Sequence, residues 1–127
     1  MDERITFQSD GLKLAGIINI PADFKPGERR PAFIVLHGFG GNKDGQGQTV
    51  VAKQFTQWGY VTLRIDFRGC GESEGEHGRI ICFDQVADTR NAISYLATRP
   101  EVDPRRIALV GSSFGAAGGS IGGGSSP

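Results

Sequence analysis

Cysteine is scarce in this 127-residue chain, which contains only Cys70 and Cys82. Two cysteines are too few for a disulfide framework, and these two do not form a Cys-x-x-Cys pair. Free thiols are typical of a reducing compartment, so the composition predicts a cytoplasmic protein. Histidine is equally scarce, and two separated histidines with two separated cysteines match no metal-ligand spacing. We therefore expect no metal site.

The chain also lacks an excess of either charge and lacks a long apolar run. Its 14 basic and 14 acidic residues balance, which argues against nucleic acid or an anionic membrane as the main partner. No stretch approaches the roughly 18 apolar residues of a membrane span, and residues 1–4 lack the basic start of a secretory signal. No Gly-x-x-x-x-Gly-Lys motif occurs, and Gly69-Cys70-Gly71 lacks the third glycine of a dinucleotide fingerprint, so we expect no cofactor.

Glycine, in contrast, is abundant, with 20 residues in the chain against an average usage of about 7%. Much of the excess lies in loops and in the last ten residues. Each glycine costs a helix about 1 kcal/mol relative to alanine, so a segment rich in glycine and serine does not favour a helix. The composition predicts one domain at residues 1–117 and a flexible Gly/Ser-rich tail at 118–127.

The order of apolar patterns predicts an α/β fold. Two alternating segments joined by Asp10-Gly11, a strong turn signal, predict an antiparallel N-terminal hairpin. Continuous apolar runs then alternate with helical patterns, which is typical of a mostly parallel sheet with helices on both faces. The predicted strands are 4–8, 12–20, 32–36, 60–65 and 107–110, and the predicted helices begin at residues 49 and 85.

Local signals place the ends of these helices. Gly59 is expected just after the first helix, and Asp84 is the candidate N-cap of the second. Asp103 and Pro104 are expected to break the chain before the last strand. Four apolar residues of the first helix are expected on or near one face: Val50, Val51, Phe55 and Trp58.

The last predicted strand leads into Gly-x-Ser-x-Gly at residues 111–115. A serine on a tight strand-to-helix turn exposes its hydroxyl, and the turn strains the serine backbone by about 1–3 kcal/mol. The positions two before and two after the serine approach each other closely, so both favour residues without a Cβ. Gly111 and Gly115 meet this need around Ser113. A Gly/Ser-rich loop can match the same pattern by chance, so the structural context of the pentapeptide must distinguish a nucleophile turn from such a loop.

That context consists of three motifs in order, each after a predicted strand. They are His37-Gly-Phe-Gly40, a glycine-rich loop at 66–75, and the pentapeptide at 111–115. Together they resemble the N-terminal part of an α/β-hydrolase, in the esterase and serine aminopeptidase-like branch. The resemblance covers residues 1 to about 117 and implies a truncated α/β-hydrolase fold.

The resemblance implies a serine hydrolase that cleaves small-molecule carboxylic esters or amides through an acyl-enzyme. Ser113 would be the nucleophile, and the backbone N–H groups of Phe39 and Phe114 would form the oxyanion hole. Gly111 and Gly115 would be the elbow glycines. Neither a metal nor a cofactor is implied.

Nearby polar residues have expected structural roles. In this family the histidine of the His-Gly pair shapes the oxyanion loop, so His37 is expected to be structural in preference to a general base. Asp66 and Arg68 are expected to hold their loop through hydrogen bonds. His77 is expected to be a solvated loop residue, and Asp88 a surface or loop-binding carboxylate.

The chain departs from the family pattern after Ala117, where a glycine-rich tail stands in place of the helix that should follow the elbow. The triad acid and histidine, which follow the serine in the family, are absent from these residues, and Ser113 is a weak nucleophile without a base. Two alternatives stay open. One is an inactive truncated fragment that self-associates through an open sheet edge at strand 107–110. The other is a half completed by a second polypeptide.

Overall fold

The computed structural model describes residues 2–37, 42–75 and 82–111, with the side chains of residues 82–84 excepted. The predicted tail at 118–127 lies outside these ranges. The described elements are β1 (Asp2–Ser9), β2 (Leu12–Asn19), β3 (Arg30–Val35), α1 (Gln46–Gln57), β4 (Val61–Ile65), α2 (Cys82–Ala97) and β5 (Val102–Val110).

The five strands form one mixed sheet in the order β1-β2-β4-β3-β5. The first two strands form an antiparallel hairpin, and β2 is also antiparallel to β4. The strand β3 pairs in parallel with both β4 and β5. The predicted α/β class, with its parallel sheet and N-terminal hairpin, is confirmed.

The hairpin turn has the backbone geometry that its sequence predicts. Asp10 and Gly11 have φ values of 50° and 81°, and Ser9 is paired directly with Leu12. Positive φ at both central residues matches the right-handed twist of the flanking strands, and glycine and aspartate tolerate it best. The turn therefore sets the register of the whole hairpin.

The two helices cover opposite faces of the sheet. On one face, Phe55 of α1 stacks on Phe33 with ring centroids 4.4 Å apart. On the other face, Leu96 of α2 belongs to the buried core with Ile34 and Leu63. Because neighbouring residues of a strand point to opposite faces, Phe33 and Ile34 direct the two helices to opposite sides. No helix in the described ranges is long and apolar enough to cross a membrane.

The buried face of α1 is narrower than predicted. The helix begins at Gln46, three residues before the expected start, and Gly45 is its N-cap. Val50 and Trp58 are 59% and 63% exposed, so two of the four apolar residues expected on or near one face are accessible to solvent. Trp58 is the C-cap residue and lies past the last helical residue. Gly59 follows with φ of 99°, as expected for a glycine after a helix.

Two further element boundaries differ from prediction. The helix α2 begins at Cys82, so Asp84 lies inside its first turn and is not the N-cap. The strand β5 begins at Val102 instead of Ile107. Its register shifts between the pairs Arg30–Val102 and Ala32–Ile107, so the residues around Pro104 bulge outward. A bulge tolerates proline because the lost N–H has no ladder partner there.

Candidate active site

The carboxyl ends of β3, β4 and β5 lie along one edge of the sheet, because these three strands are parallel. The segments that follow β3 and β5 start side by side: the Leu36 N–H donates to the Val110 carbonyl at 2.7 Å. A small pocket of about 150 Å³ opens there, and Leu36, Val51 and Gly111 are among its lining residues. In open α/β sheets, ligands bind at such strand ends.

Most of the predicted catalytic residues lie outside the described ranges. These residues are Phe39, Ser113, Phe114 and Gly115. Gly111 is described, is exposed and directly follows β5. The structure therefore defines where the pentapeptide and the oxyanion loop leave the sheet, and the geometry of the serine and its oxyanion donors stays a prediction.

His37 is enclosed by the fold. It has no exposed surface, and its Nε2 accepts a hydrogen bond from the Phe67 N–H at 3.1 Å. The imidazole also contacts the Phe67 ring edge-on, with centroids 4.8 Å apart. The contacts of the His37 imidazole with Phe67 therefore connect the end of β3 to the end of β4. A nitrogen that already accepts a backbone hydrogen bond is poorly placed to take a proton from serine, which favours the structural role.

Asp66 organises the glycine-rich loop that follows β4. Its carboxylate is fully buried and accepts hydrogen bonds from the Lys43 N–H at 2.6 Å and the Glu72 N–H at 2.9 Å. Gly71 lies against it with φ of 50°, and a Cβ at this position would overlap the carboxylate. The expectation that Asp66 holds its loop through hydrogen bonds is confirmed.

Lys43 was not singled out by the sequence pattern, which predicted only a polar loop. Its side chain is 1% exposed, and its Nζ lies 2.8 Å from Asp66 Oδ2. The same Nζ is 2.6 Å from Glu72 Oε1 and 3.2 Å from Asp44 Oδ2. Lys43 therefore ties the segment just after the oxyanion loop to the loop that follows β4. No periodicity marks such a residue, because its burial arises from contacts between two loops.

Hydrogen bonds within this cluster shift the pKa values of Lys43 and Glu72. Burial lowers the pKa of Lys43, but hydrogen bonds to Asp66 and Glu72 outweigh it and raise that pKa overall. Hydrogen bonds from Lys43 and Arg4 lower the pKa of Glu72 to about 2. Both shifts favour the charged forms of Lys43 and Glu72.

Arg68 and Asp88 anchor the other end of the loop to α2. Asp88 is fully buried, and its carboxylate accepts hydrogen bonds from Arg68 Nη2 at 2.8 Å and from the Arg68 N–H at 2.8 Å. It also accepts a hydrogen bond from Ser9 Oγ at 2.7 Å. Of the two roles expected for Asp88, surface or loop-binding, the structure shows the loop-binding one. His77 lies outside the described residues.

The thiol of Cys70 is buried in the same loop. Burial and the nearby charges of Asp66 and Asp88 raise the pKa of this thiol. A protonated, buried thiol is a poor nucleophile, so the structure favours a packing role for Cys70. Within residues 2–37, 42–75 and 82–111, no cluster of three histidine, cysteine or acidic side chains is arranged to hold a metal.

Comparison with known proteins agrees with this architecture. A family model described as "Serine aminopeptidase, S33" matches residues 27–120, which include all three glycine motifs. The chain belongs to this family of α/β-hydrolases. The family match therefore covers the His37-Gly-Phe-Gly40 motif, the loop held by Asp66 and the Gly-x-Ser-x-Gly pentapeptide.

Individual family members are similar over much of the chain. The chain is 36% identical over 116 residues to polyketide transferase ATR5 of Stachybotrys chlorohalonatus, covering 90% of the chain and 37% of that protein. It is 34% identical over 86 residues to the quorum-quenching protein AidA of Acinetobacter baumannii, covering 67% of the chain and 28% of that protein. The crystal structure of the α/β-hydrolase GrgF from Penicillium sp. sh18 superposes with a TM-score of 0.88 at 30% identity, covering 96% of the chain and 41% of GrgF.

The chain spans between 28% and 37% of the length of these curated relatives. The similarity therefore supports the hydrolase fold, while the reaction, the substrate and the residues that act on it are questions of proposed function.

Proposed function

We propose that this chain supplies the nucleophile and oxyanion half of a serine hydrolase that acts on small-molecule carboxylic esters or amides. Ser113 attacks the carbonyl carbon, the carbonyl oxygen becomes an oxyanion, and loss of the alcohol or amine leaves an acyl-enzyme that water hydrolyses. The backbone N–H groups of Phe39 and Phe114 stabilise the oxyanion. Gly111 and Gly115 permit the tight turn around the serine.

The observation that carries the proposal is the adjacency of two strand ends. The hydrogen bond from Leu36 to Val110 aligns the end of β3 with the end of β5. Phe39 lies three residues after Leu36, and Ser113 lies three residues after Val110. Two segments of three residues from adjacent points are short enough to bring a hydroxyl and an amide to one carbonyl group. Loss of one oxyanion donor costs about 3 kcal/mol of transition-state stabilisation.

The surrounding loops support this role because they are held from several sides. His37 and Lys43 flank the oxyanion segment, and each is bound to the loop after β4 by a hydrogen bond or ion pair. Oxyanion stabilisation depends on donors fixed before the reaction begins. The buried contacts of His37 and Lys43 hold the two residues that lie on either side of Phe39 in the sequence.

The base that activates Ser113 is the part of the mechanism that the described residues do not supply. The Nε2 of His37 already accepts a backbone hydrogen bond. Without a base, the oxyanion hole and substrate binding still give about 10³–10⁴ over water. We infer that a histidine and an acid from further polypeptide complete the triad.

A fluorophosphonate probe tests the nucleophile. We expect an adduct on Ser113 in a longer form of the protein that carries the triad histidine and acid, identified by peptide mass spectrometry, and none in Ser113→Ala of that form. Ser112→Ala is the matched control, since it removes a neighbouring hydroxyl and should keep the adduct. Equal labelling of Ser113→Ala would exclude Ser113 as the nucleophile.

A second candidate is an inactive fragment that self-associates through β5. Among the described strands, β5 pairs only with β3, so its other edge has backbone groups available for pairing. Size-exclusion chromatography separates the two proposals. Ser113-dependent ester turnover by the longer form that carries the triad histidine and acid supports the hydrolase, while a concentration-dependent dimer of the 127-residue chain, with no labelling of Ser113 in the longer form, supports the fragment. Cytoplasmic location remains part of the proposal and depends on the scarcity of cysteine.

A further inference from the structure

A second cavity lies on the α1 face of the sheet, beside β2 and β4. Its volume is about 610 Å³, and all eight of its lining residues are polar or charged. It is bounded by β2, β4 and α1, through residues such as Asn19, Arg64 and Lys53. Since β3 separates β4 from β5 in the sheet, this cavity is distinct from the pocket beside Gly111.

Arg64 lies at the base of this cavity without a partner. The residue is 7% exposed, and its Nε has no hydrogen-bond partner. In the ranges 2–37, 42–75 and 82–111, no carboxylate forms an ion pair with its guanidinium. Burial of a charged group without a partner is costly, because water is removed and nothing replaces its hydrogen bonds. An arginine cannot relieve this cost by losing its proton.

The position of Arg64 within an otherwise uncharged, buried strand is unusual. The run 61–65, with the sequence Val-Thr-Leu-Arg-Ile, is buried throughout, and Arg64 is its only charged residue. The neighbouring polar residue on the same face, Thr62, is satisfied by Thr56 Oγ1 at 3.0 Å. Arg64 has no such neighbour, so the free donors of its guanidinium indicate a ligand.

We propose that this cavity binds the carboxylate or phosphate group of a polar small molecule. The guanidinium presents paired N–H donors that match two oxygens of such a group. Lys53, exposed on α1 and lining the same cavity, adds a second positive charge. Binding therefore completes the hydrogen bonds that Arg64 lacks in the free protein.

Two carboxylates also line the cavity and shape its preference. Asp44 lies 3.2 Å from the Lys43 ammonium, so its charge is already partly compensated. Asp2 lies on β1 and is paired with Asn19 of β2. With Arg64 and Lys53, the cavity carries two charges of each sign, so a ligand with one anionic group fits better than a strongly charged polyanion.

Isothermal titration calorimetry tests the proposal. The 127-residue chain, in a buffer whose only other anion is chloride, is titrated with inorganic phosphate and separately with acetate. We expect saturable binding of at least one anion with a stoichiometry of one. The anion that binds identifies whether the site prefers phosphate or carboxylate. Absence of saturable binding for both would overturn the proposal.

Variants locate the binding. Arg64→Met keeps an unbranched apolar stem without the guanidinium and should fold, since replacing a buried charge by an apolar group is often neutral or stabilising. It should weaken binding about ten- to a hundredfold. Lys25→Met removes an exposed lysine elsewhere and should bind as the wild type does. Equal anion affinity of Arg64→Met and wild type would refute the site. If Arg64→Met fails to fold, Lys53→Met, a surface change, should by itself lower the anion affinity.

Discussion

Lys43→Met should destabilise the protein by about 3 kcal/mol. The substitution keeps a side chain of similar length but removes the ammonium that lies 2.8 Å from the buried Asp66 carboxylate. Breaking a buried ion pair by removing one partner costs about 3–5 kcal/mol, because the other charge stays buried and uncompensated. We expect the lower end, since the carboxylate keeps backbone donors from residue 43 and from Glu72. Glu72 is 55% exposed and returns to water at little cost.

Urea unfolding followed by circular dichroism measures this loss. A domain of this size has a total stability of about 5–15 kcal/mol, so a loss of about 3 moves the midpoint substantially. Lys25→Met is the matched control, because it removes an exposed lysine and should change stability by less than about 0.5 kcal/mol. A loss below about 1 kcal/mol for Lys43→Met would refute the reasoning, since backbone donors alone would then compensate the buried carboxylate.

Three other substitutions test the surrounding structure. The pKa of Glu72 is lowered from 4.5 to about 2, so the stabilisation by its carboxylate is present above about pH 4.5 and is lost as pH falls through about 2. Glu72→Gln should therefore lower the urea midpoint at pH 7 and leave it unchanged near pH 2. An equal decrease of the midpoint at both pH values would contradict the ion pairing. Gly71 has a φ of 50° and lies against the Asp66 carboxylate, whereas Gly11 has a positive φ but open space around it. Gly71→Ala should therefore lower the free energy of unfolding by about 1–3 kcal/mol more than Gly11→Ala does. Equal losses of stability in thermal unfolding would show that the overlap with Asp66 relaxes freely. Leu96→Ala, fully buried in the core, should cost about 2–5 kcal/mol in urea unfolding, and a loss below about 1 would show that α2 does not pack as described.

Part of the candidate site could be anticipated from individual residues. Asp66 and Arg68 follow a buried strand in a glycine-rich loop, and both hold that loop as expected. Lys43 could not be anticipated, because a lysine in a polar loop ordinarily stays in water. It is buried by two loops that are distant in sequence, and only the sheet brings them together. Arg64 carried a weak signal, since a charge within an apolar strand is unusual.

The ends of the strands and helices also divide into those that local sequence predicts and those that depend on tertiary contacts. The turn at Asp10-Gly11 was predicted correctly, since the required backbone angles depend on the two residues themselves. The start of β5 at Val102 was not, because the bulge around Pro104 depends on the register with β3. The exposure of Val50 likewise depends on how α1 is rotated against the sheet.

The amino-acid sequence by itself determined the order and type of the strands and helices, the hairpin turn and the family, since periodicity, turn chemistry and motif spacing are properties of short segments. The tertiary structure alone decided which charges are buried. It paired Lys43 with Asp66 across 23 positions and left Arg64 facing a polar cavity. Such outcomes depend on distances between segments that strand pairing brings together, and no local pattern encodes those distances.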